Sequence, residues 1–385
     1  MQTQQGALVP IARGTYEEER LRVIHVVDAR EDGVPAWGRE RAVQALMQTQ
    51  RDSGLVEPEF VCFSWGQLAA DLTAARFSVC DLNSGSGALS TKAVTRFKRL
   101  IGAGPIPVVH THSHRANLLG RMARLMGARM QRLVASHHGW EEPGARAGFF
   151  NRIDRQFSGL SDAVTVPDAM VAHLFPRSVR VVHLADAIAY QPLPTEEERA
   201  QARAAYGLRK GDFVAGFFGR INEMGGALEL LRAARGTEDR GIVWAIAGDG
   251  ELASNFQVAG LKNVRLLGEI DNPEAFFAAL DTYVQPSHHE TLSPALLAAM
   301  RAGVPSVATR VGATELAARH DIEGLIIEPG DAEDLLQRVV LLKRSPLVRT
   351  RLAAAARTRF ETAFDIRFQH EALLELYRYG GLKRV

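Results

Sequence analysis

The chain contains only two cysteines, Cys62 and Cys80. Each falls in an apolar, strand-like run, which favours buried thiols in a reducing compartment over a disulfide. No uninterrupted apolar run approaches the length of a membrane span. Met1 to Arg20 is polar, turns acidic toward its end and lacks a basic start followed by an apolar stretch, so neither export nor membrane insertion is expected, and the cytoplasm is the expected location. Strong charge of one sign is missing too. Lys and Arg number 46 against 44 Asp and Glu, a formal net charge of +2, without a dense cationic run, which argues against nucleic acid as the main ligand. Arg96-Phe97-Lys98-Arg99, the segment Arg121 to Arg132 and Lys343-Arg344 suit either solvated helix faces or a peripheral contact with an anionic membrane surface.

What is present describes an ordinary globular protein. Of 385 residues, 46% are hydrophobic and 23% charged, and at roughly 150 residues per domain two domains are the simpler reading. Leu21 to Ala29 reads as a buried strand, followed by a turn at Gly33 and a helix from Arg39 to Gln50. Phe60 to Phe63, Phe77 to Leu82, Pro107 to Thr111, Arg132 to Ser136, Ala163 to Val166 and Val179 to Leu184 supply further short strands, with helical patterns such as Ala116 to Met126 between them. Such alternation implies α/β architecture with a parallel sheet covered on both faces.

Between Ala185 and Ala200 the chain turns proline-rich and acidic, as a hinge does. A second series follows, with strands at Phe213 to Phe218, Ile242 to Ala247, Val264 to Leu267, Thr282 to Gln285, Pro305 to Thr309 and Leu325 to Ile327. The clearest unit within it runs from Pro286 to Leu316. Ser293 is placed to cap a helix, Pro294 fits its first position, Leu296, Leu297 and Met300 form its apolar stripe, and Gly303 supplies a left-handed stop. The loop before it, with Glu290, is expected at the carboxyl end of a strand, where ligands bind in open α/β sheets.

Six segments in order carry a resemblance: Phe218-Gly219-Arg220, Ala247-Gly248-Asp249-Gly250, Asn263 to Gly268, Pro286-Ser287 with Glu290, Ala302-Gly303-Val304-Pro305 and Val311 to Leu316. Together they resemble the retaining glycosyltransferases of family 4, and the likeness covers most of the chain, most strongly from Phe213 to Gly330. The family implies the GT-B architecture, two facing Rossmann-like domains. That places an acceptor-side domain at 1–187, a nucleotide-sugar domain at 188–365 and a final helical segment, 366–385, crossing back to the first domain. It also implies a nucleotide-diphosphate sugar as donor, UDP- or GDP-linked, a hydroxyl acceptor, and no metal or other cofactor.

The resemblance assigns roles by residue. Gly219, Gly225 and Gly248 would let backbone approach the diphosphate, and Arg220 would stabilise the leaving group. A surface arginine or a structural ion pair is the competing reading of Arg220. Glu290, with Thr291 and Leu292, would hold the donor sugar, and Ala298 occupies the position of the ribose contact. His138, in Ser136-His137-His138-Gly139, resembles the family histidine near the reacting centre and is preferred over His137; a structural imidazole is its alternative. His110, His112 and His114 alternate along a strand end, but residues on one side of a strand, without a cysteine or acid to complete the set, do not make a metal site. Trp140 to Gly144 is either a loop near the acceptor or an ordinary solvated one.

Two family features are absent. The lysine expected after the Gly-Arg pair is Gly225, and the second carboxylate of the Glu-x7-Glu pattern is Ala298. Both changes weaken the grip on the same donor. Three readings stay open: an active transferase that holds its donor differently, a site crippled by substitution, and a catalytically silent protein acting through a partner.

Overall fold

The computed structural model describes residues 20–28, 39–82, 90–137, 152–167, 169–290 and 292–380. They divide into two compact units, one drawn from 1–185 and 366–385, the other from 186–365. His138, Thr291, Gly33 and the segment 140–144 lie outside the described residues.

The first unit is built on seven parallel strands: β1 (Leu21–Val27), β2 (Val56–Cys62), β3 (Ser78–Asp81), β4 (Val108–Thr111), β5 (Arg132–Ser136), β6 (Ala163–Val166) and β7 (Val181–His183). Their order is β3-β2-β1-β4-β5-β6-β7. Parallel neighbours need crossovers, and the helices Arg39–Asp52, Gln67–Ala74, Thr91–Ile101 and His114–Leu125 supply them. β1 is apolar on both faces because both are covered. Ile24 and Val26 pack with Val94 and Phe97 on one side, and Val27 packs with Val43, Met47 and Phe60 on the other.

The second unit has six parallel strands: β8 (Phe213–Phe218), β9 (Ile242–Ala247), β10 (Val264–Gly268), β11 (Thr282–Gln285), β12 (Ser306–Thr309) and β13 (Gly324–Ile327), in the order β10-β9-β8-β11-β12-β13. Each sheet is a doubly wound α/β layer, as the alternation of strands and helices implied. In each, the order reverses beside the first strand, between β1 and β4 and between β8 and β11, and that reversal opens a crevice at the carboxyl ends of the strands.

The last described helix, Ile366–Tyr379, belongs to the first unit and packs against the helix Arg39–Asp52. Arg132 holds its last turn, with Nε donating to the Tyr377 carbonyl at 2.9 Å and Nη2 to that of Arg378 at 3.1 Å. A guanidinium on terminal carbonyls satisfies acceptors the helix cannot pair itself.

Local expectations held where capping chemistry was explicit. Ser293 Oγ accepts from Leu296 N at 3.3 Å, Pro294 opens the helix Pro294–Arg301, and Gly303 follows it at φ +67°. Elsewhere the structure differs. The acidic run Glu196 to Glu198 is the first turn of the helix Glu196–Ala205 rather than part of a hinge. Thr195 and Glu198 form a reciprocal capping box there, and carboxylates suit a helix N-terminus. β2 starts at Val56, four positions before the apolar run begins, because pairing with β1 from Leu21 carries Glu57 and Pro58 into the sheet.

Candidate functional site

In the second unit, the turns that leave β8, β9 and β11 interlock at the carboxyl edge of the sheet. Gly219 N donates to the Ala247 carbonyl at 3.1 Å, Ile221 N to that of Asp249 at 2.8 Å, and His288 N to that of Met224 at 2.8 Å. Two glycines make the approach feasible. A Cβ at Gly248, where φ is +123°, would overlap the Gly219 carbonyl oxygen, and one at Gly226, at φ +76°, would overlap that of Pro286. Gly226 is also the N-cap of the helix Ala227–Arg235. An imidazole-carboxylate contact ties the turns further, with His288 Nε2 at 3.3 Å from Glu229 Oε2.

Arg220 projects from this platform. It is exposed and has no ion pair among the described residues. The structural ion pair considered for it is therefore absent there, and an exposed guanidinium on such a turn suits an anion.

Glu290 is half-buried at the end of the loop after β11. Beneath it lies Tyr283, whose phenol is pushed well above its usual range by burial and then by the Glu290 carboxylate, while a hydrogen bond with Ser293 opposes the rise. Leu292 is buried beside it in the chain, and Ala298 is fully buried in the helix Pro294–Arg301. Gln285, which ends β11, is 2% exposed, and neither atom of its side-chain amide has a hydrogen-bond partner among the described residues. Pattern reading passed over Tyr283 and Gln285 because both sit in a run that looks like plain strand.

The structure also bears on the missing lysine. A Cβ at Gly225 would lie 2.5 Å from the Arg220 carbonyl oxygen, and Gly225 N is held by Asn222 Oδ1 at 2.8 Å. This turn has closed around glycine, so a lysine restored at 225 would force the backbone apart. A glutamate at 298 would enter a face with no exposed surface.

At the carboxyl edge of the first unit, imidazoles converge at the strand-order reversal. His25 on β1 pairs in register with His110 on β4, and candidate ligand atoms of His25, His110 and His112 lie within 4.8 Å of one another. The expectation that the histidines make no close set overlooked His25, whose place beside β4 no spacing along the chain reveals. His114 has left the strand and opens the helix His114–Leu125, capped by Ser113. The rings are joined by hydrogen bonds. His25 Nδ1 meets His112 Nε2 at 2.9 Å, and His25 Nε2 meets Gln50 Oε1 at 2.8 Å. His110 Nδ1 meets the Tyr377 hydroxyl at 2.6 Å, and its Nε2 meets Ser136 Oγ at 2.7 Å. Burial lowers the His25 pKa to about 4 in spite of the Gln50 hydrogen bond.

Beyond β5, His137 Nε2 lies 3.0 Å from Asp154 Oδ2. Asp154 is buried with Arg121 in an ion pair, and Asn117 Nδ2 donates to the same carboxylate at 3.1 Å. Burial alone would raise the Asp154 pKa. The hydrogen bonds from His137 and Asn117 and the charges of His137 and Arg121 outweigh it and hold the group below its usual value.

Comparison with known proteins agrees with this geometry. The family model described as Glycosyltransferase Family 4 matches residues 38–183, and that described as Glycosyl transferases group 1 matches 212–344. The chain belongs to glycosyltransferase family 4. Among relatives of this family 4 chain, a D-inositol 3-phosphate glycosyltransferase of Saccharomonospora viridis is 30% identical over 198 residues, 47% of this chain and 46% of that protein. An Escherichia coli UDP-Gal:alpha-D-GlcNAc-diphosphoundecaprenol alpha-1,3-galactosyltransferase is 20% identical over 74% of this chain and 79% of its own length. The chain spans about half the length of the first curated relatives it matches. The solved structure of Anabaena Alr3699/HepE in complex with UDP-glucose superposes with a TM-score of 0.76 at 17% identity, covering 92% of this chain and 99% of that one. The shared architecture is the GT-B fold.

Proposed function

We propose that this family 4 chain is a retaining, metal-independent hexosyltransferase that moves a sugar from a UDP- or GDP-linked donor to a hydroxyl of a glycolipid, surface polysaccharide or small metabolite. The observation that carries the reading is the second unit's platform of interlocked glycine turns, with Arg220 exposed on it and without an ion pair among the described residues. The names of the relatives, and the UDP-glucose held by the HepE structure, support a nucleotide sugar as donor.

In this reading the bond from the anomeric carbon to the diphosphate breaks while the acceptor oxygen bonds the same face. The acceptor's proton passes to the departing phosphate oxygen. The glycine turns, with Gly219, Gly225 and Gly248, let the backbone lie close beside the diphosphate, and Arg220 offsets the charge that develops on it. Glu290, beside Thr291 and Leu292, orients the donor sugar, and His138 supports it near the anomeric carbon. Ala298 leaves the ribose without its usual carboxylate, so donor affinity falls below that of relatives with both missing groups. The setting is the cytoplasm, with peripheral membrane contact when the acceptor is lipid-linked.

The absences at Gly225 and Ala298 favour one competing reading, a silent GT-B protein that works through a partner. A panel of UDP-, GDP- and ADP-sugars, followed for nucleotide release and for the anomeric configuration of the product, separates the two. Turnover with retention supports the transferase; failure of every nucleotide to bind overturns it.

A further inference from the structure

From Leu82 to Trp140 the sequence carries nine lysines and arginines and not one aspartate or glutamate, in a chain whose charges nearly balance. The fold uses some of these cations internally. Arg121 is buried against Asp154, Arg124 Nη1 lies 2.9 Å from Asp162 Oδ2, and Arg132 holds the end of the last described helix. Others stay outside. Lys92, Arg99 and Arg129 are exposed and make no ion pair among the described residues, and Arg96 is exposed beside the Cys80 thiol.

The helix Thr91–Ile101 gathers most of them. Ala93, Val94, Phe97 and Ile101 are its buried residues, so Lys92, Thr95, Arg96 and Arg99, at helical spacing, share the opposite face. Two turns at the amino ends of β4 and β5 add apolar side chains beside it. Arg22 Nη1 donates to the carbonyls of Ile101 at 3.2 Å and Pro105 at 3.1 Å, which fixes the turn bearing Ile106. Lys98 Nζ donates to the Met126 carbonyl, and Gln131 N to that of Pro107 at 2.8 Å, so the turn after the helix His114–Leu125 is held alongside. Ile106 is 56% exposed, Leu125 67% and Met126 47%. A merely solvated helix face has no use for such a rim. Nucleic acid would use the charge and not the apolar side chains, whereas anionic headgroups over acyl chains use both.

We propose that the face of the helix Thr91–Ile101 with Lys92, Arg96 and Arg99, joined by Arg129 and the rim of Ile106, Leu125 and Met126, docks on an anionic lipid bilayer. The inference rests on the reading in which the acceptor is a glycolipid, and it gives the membrane holding that acceptor a contact on the first unit. Headgroup phosphates pair with the cations, and the three apolar side chains enter the boundary between headgroups and acyl chains. Either signal alone holds a protein weakly and reversibly; the two together anchor it.

The test is co-sedimentation of the full chain with vesicles of phosphatidylcholine alone and of phosphatidylcholine with phosphatidylglycerol in equal parts. Wild type should pellet with the anionic vesicles, far less with the neutral ones, and less as salt rises. Lys92→Ser with Arg99→Ser should weaken that binding about thirtyfold, or roughly fivefold per cation. Arg235→Ser with Lys262→Ser, which takes the same charge from exposed positions of the second unit, should bind as wild type does. Ile106→Ser with Leu125→Ser should bind about tenfold weaker and keep the salt dependence. All six positions are exposed, and a thermal melt of each variant checks that the fold is kept. Equal loss in the two cation pairs overturns the proposal, as does wild-type binding that is absent or the same on both kinds of vesicle. Tighter retention on a DNA duplex than on the anionic vesicles, lost in the Lys92 and Arg99 variant, overturns it in favour of nucleic acid. UDP-glucose binding is measured on the same preparation: its absence defeats the transferase reading, while sedimentation alone judges the surface.

Discussion

At the scale of single residues, Arg220 and His25 are opposite uses of charge. Arg220 stands exposed on the glycine turns, without an ion pair among the described residues, and the proposed function gives it to a ligand rather than to the fold. Arg220→Ala should leave the melting temperature within a degree or two and lower turnover by about a hundredfold, the scale of removing one donor to a developing anion; steady-state kinetics beside a thermal melt check both halves. His25 is buried neutral among His112, His110, Gln50 and Tyr377, with a folded pKa of about 4 against 6.5 unfolded. A lowered histidine pKa means that the unfolded chain binds the extra proton first. Its contribution is complete above pH 6.5, declines as pH falls, and is fully lost below about pH 4. By linkage the loss at pH 5 is about 2 kcal/mol. Urea unfolding of wild type and His25→Gln at pH 7 and pH 5 measures it, and a parallel pH response in the two chains would refute the assignment.

At the scale of elements, the final helix Ile366–Tyr379 is tied to the first unit by bonds that include those of Arg132 to its last turn and of Tyr377 to His110. Tyr377→Phe removes the hydroxyl partner of His110 Nδ1 and leaves a buried ring nitrogen exposed to an apolar neighbour. It should cost about 1–3 kcal/mol and raise hydrogen exchange selectively in that helix; uniform exchange across the chain would contradict the role. The same scale shows how far the sequence could be read. Strands β1, β8 and β9 were legible because they are apolar on both faces and bounded by turns, and the helix after Ser293 because its caps are local chemistry. The Gly-Arg turn and the Glu290 loop were legible as motifs. His25, Asp154 and Tyr283 were not, since their partners lie on other elements and no periodicity marks them. Glu196 to Glu198 misled, because a first helical turn and an acidic linker have the same composition.

At the scale of the whole molecule, each unit carries polar groups at the reversal of its own sheet: the glycine turns with Arg220 in the second, the imidazoles of His25, His110 and His112 in the first. Among the described residues no helix is long and apolar enough to cross a membrane. The division of labour makes the central claim, that the second unit holds the donor, directly measurable. Hydrogen exchange of the full chain should be compared with and without saturating UDP-glucose and GDP-mannose. The account predicts that one of them slows exchange at residues 219–226, 248–252 and 286–290, and that Arg220→Ala abolishes the effect. Protection confined to the first unit, or none with either nucleotide sugar, would contradict it.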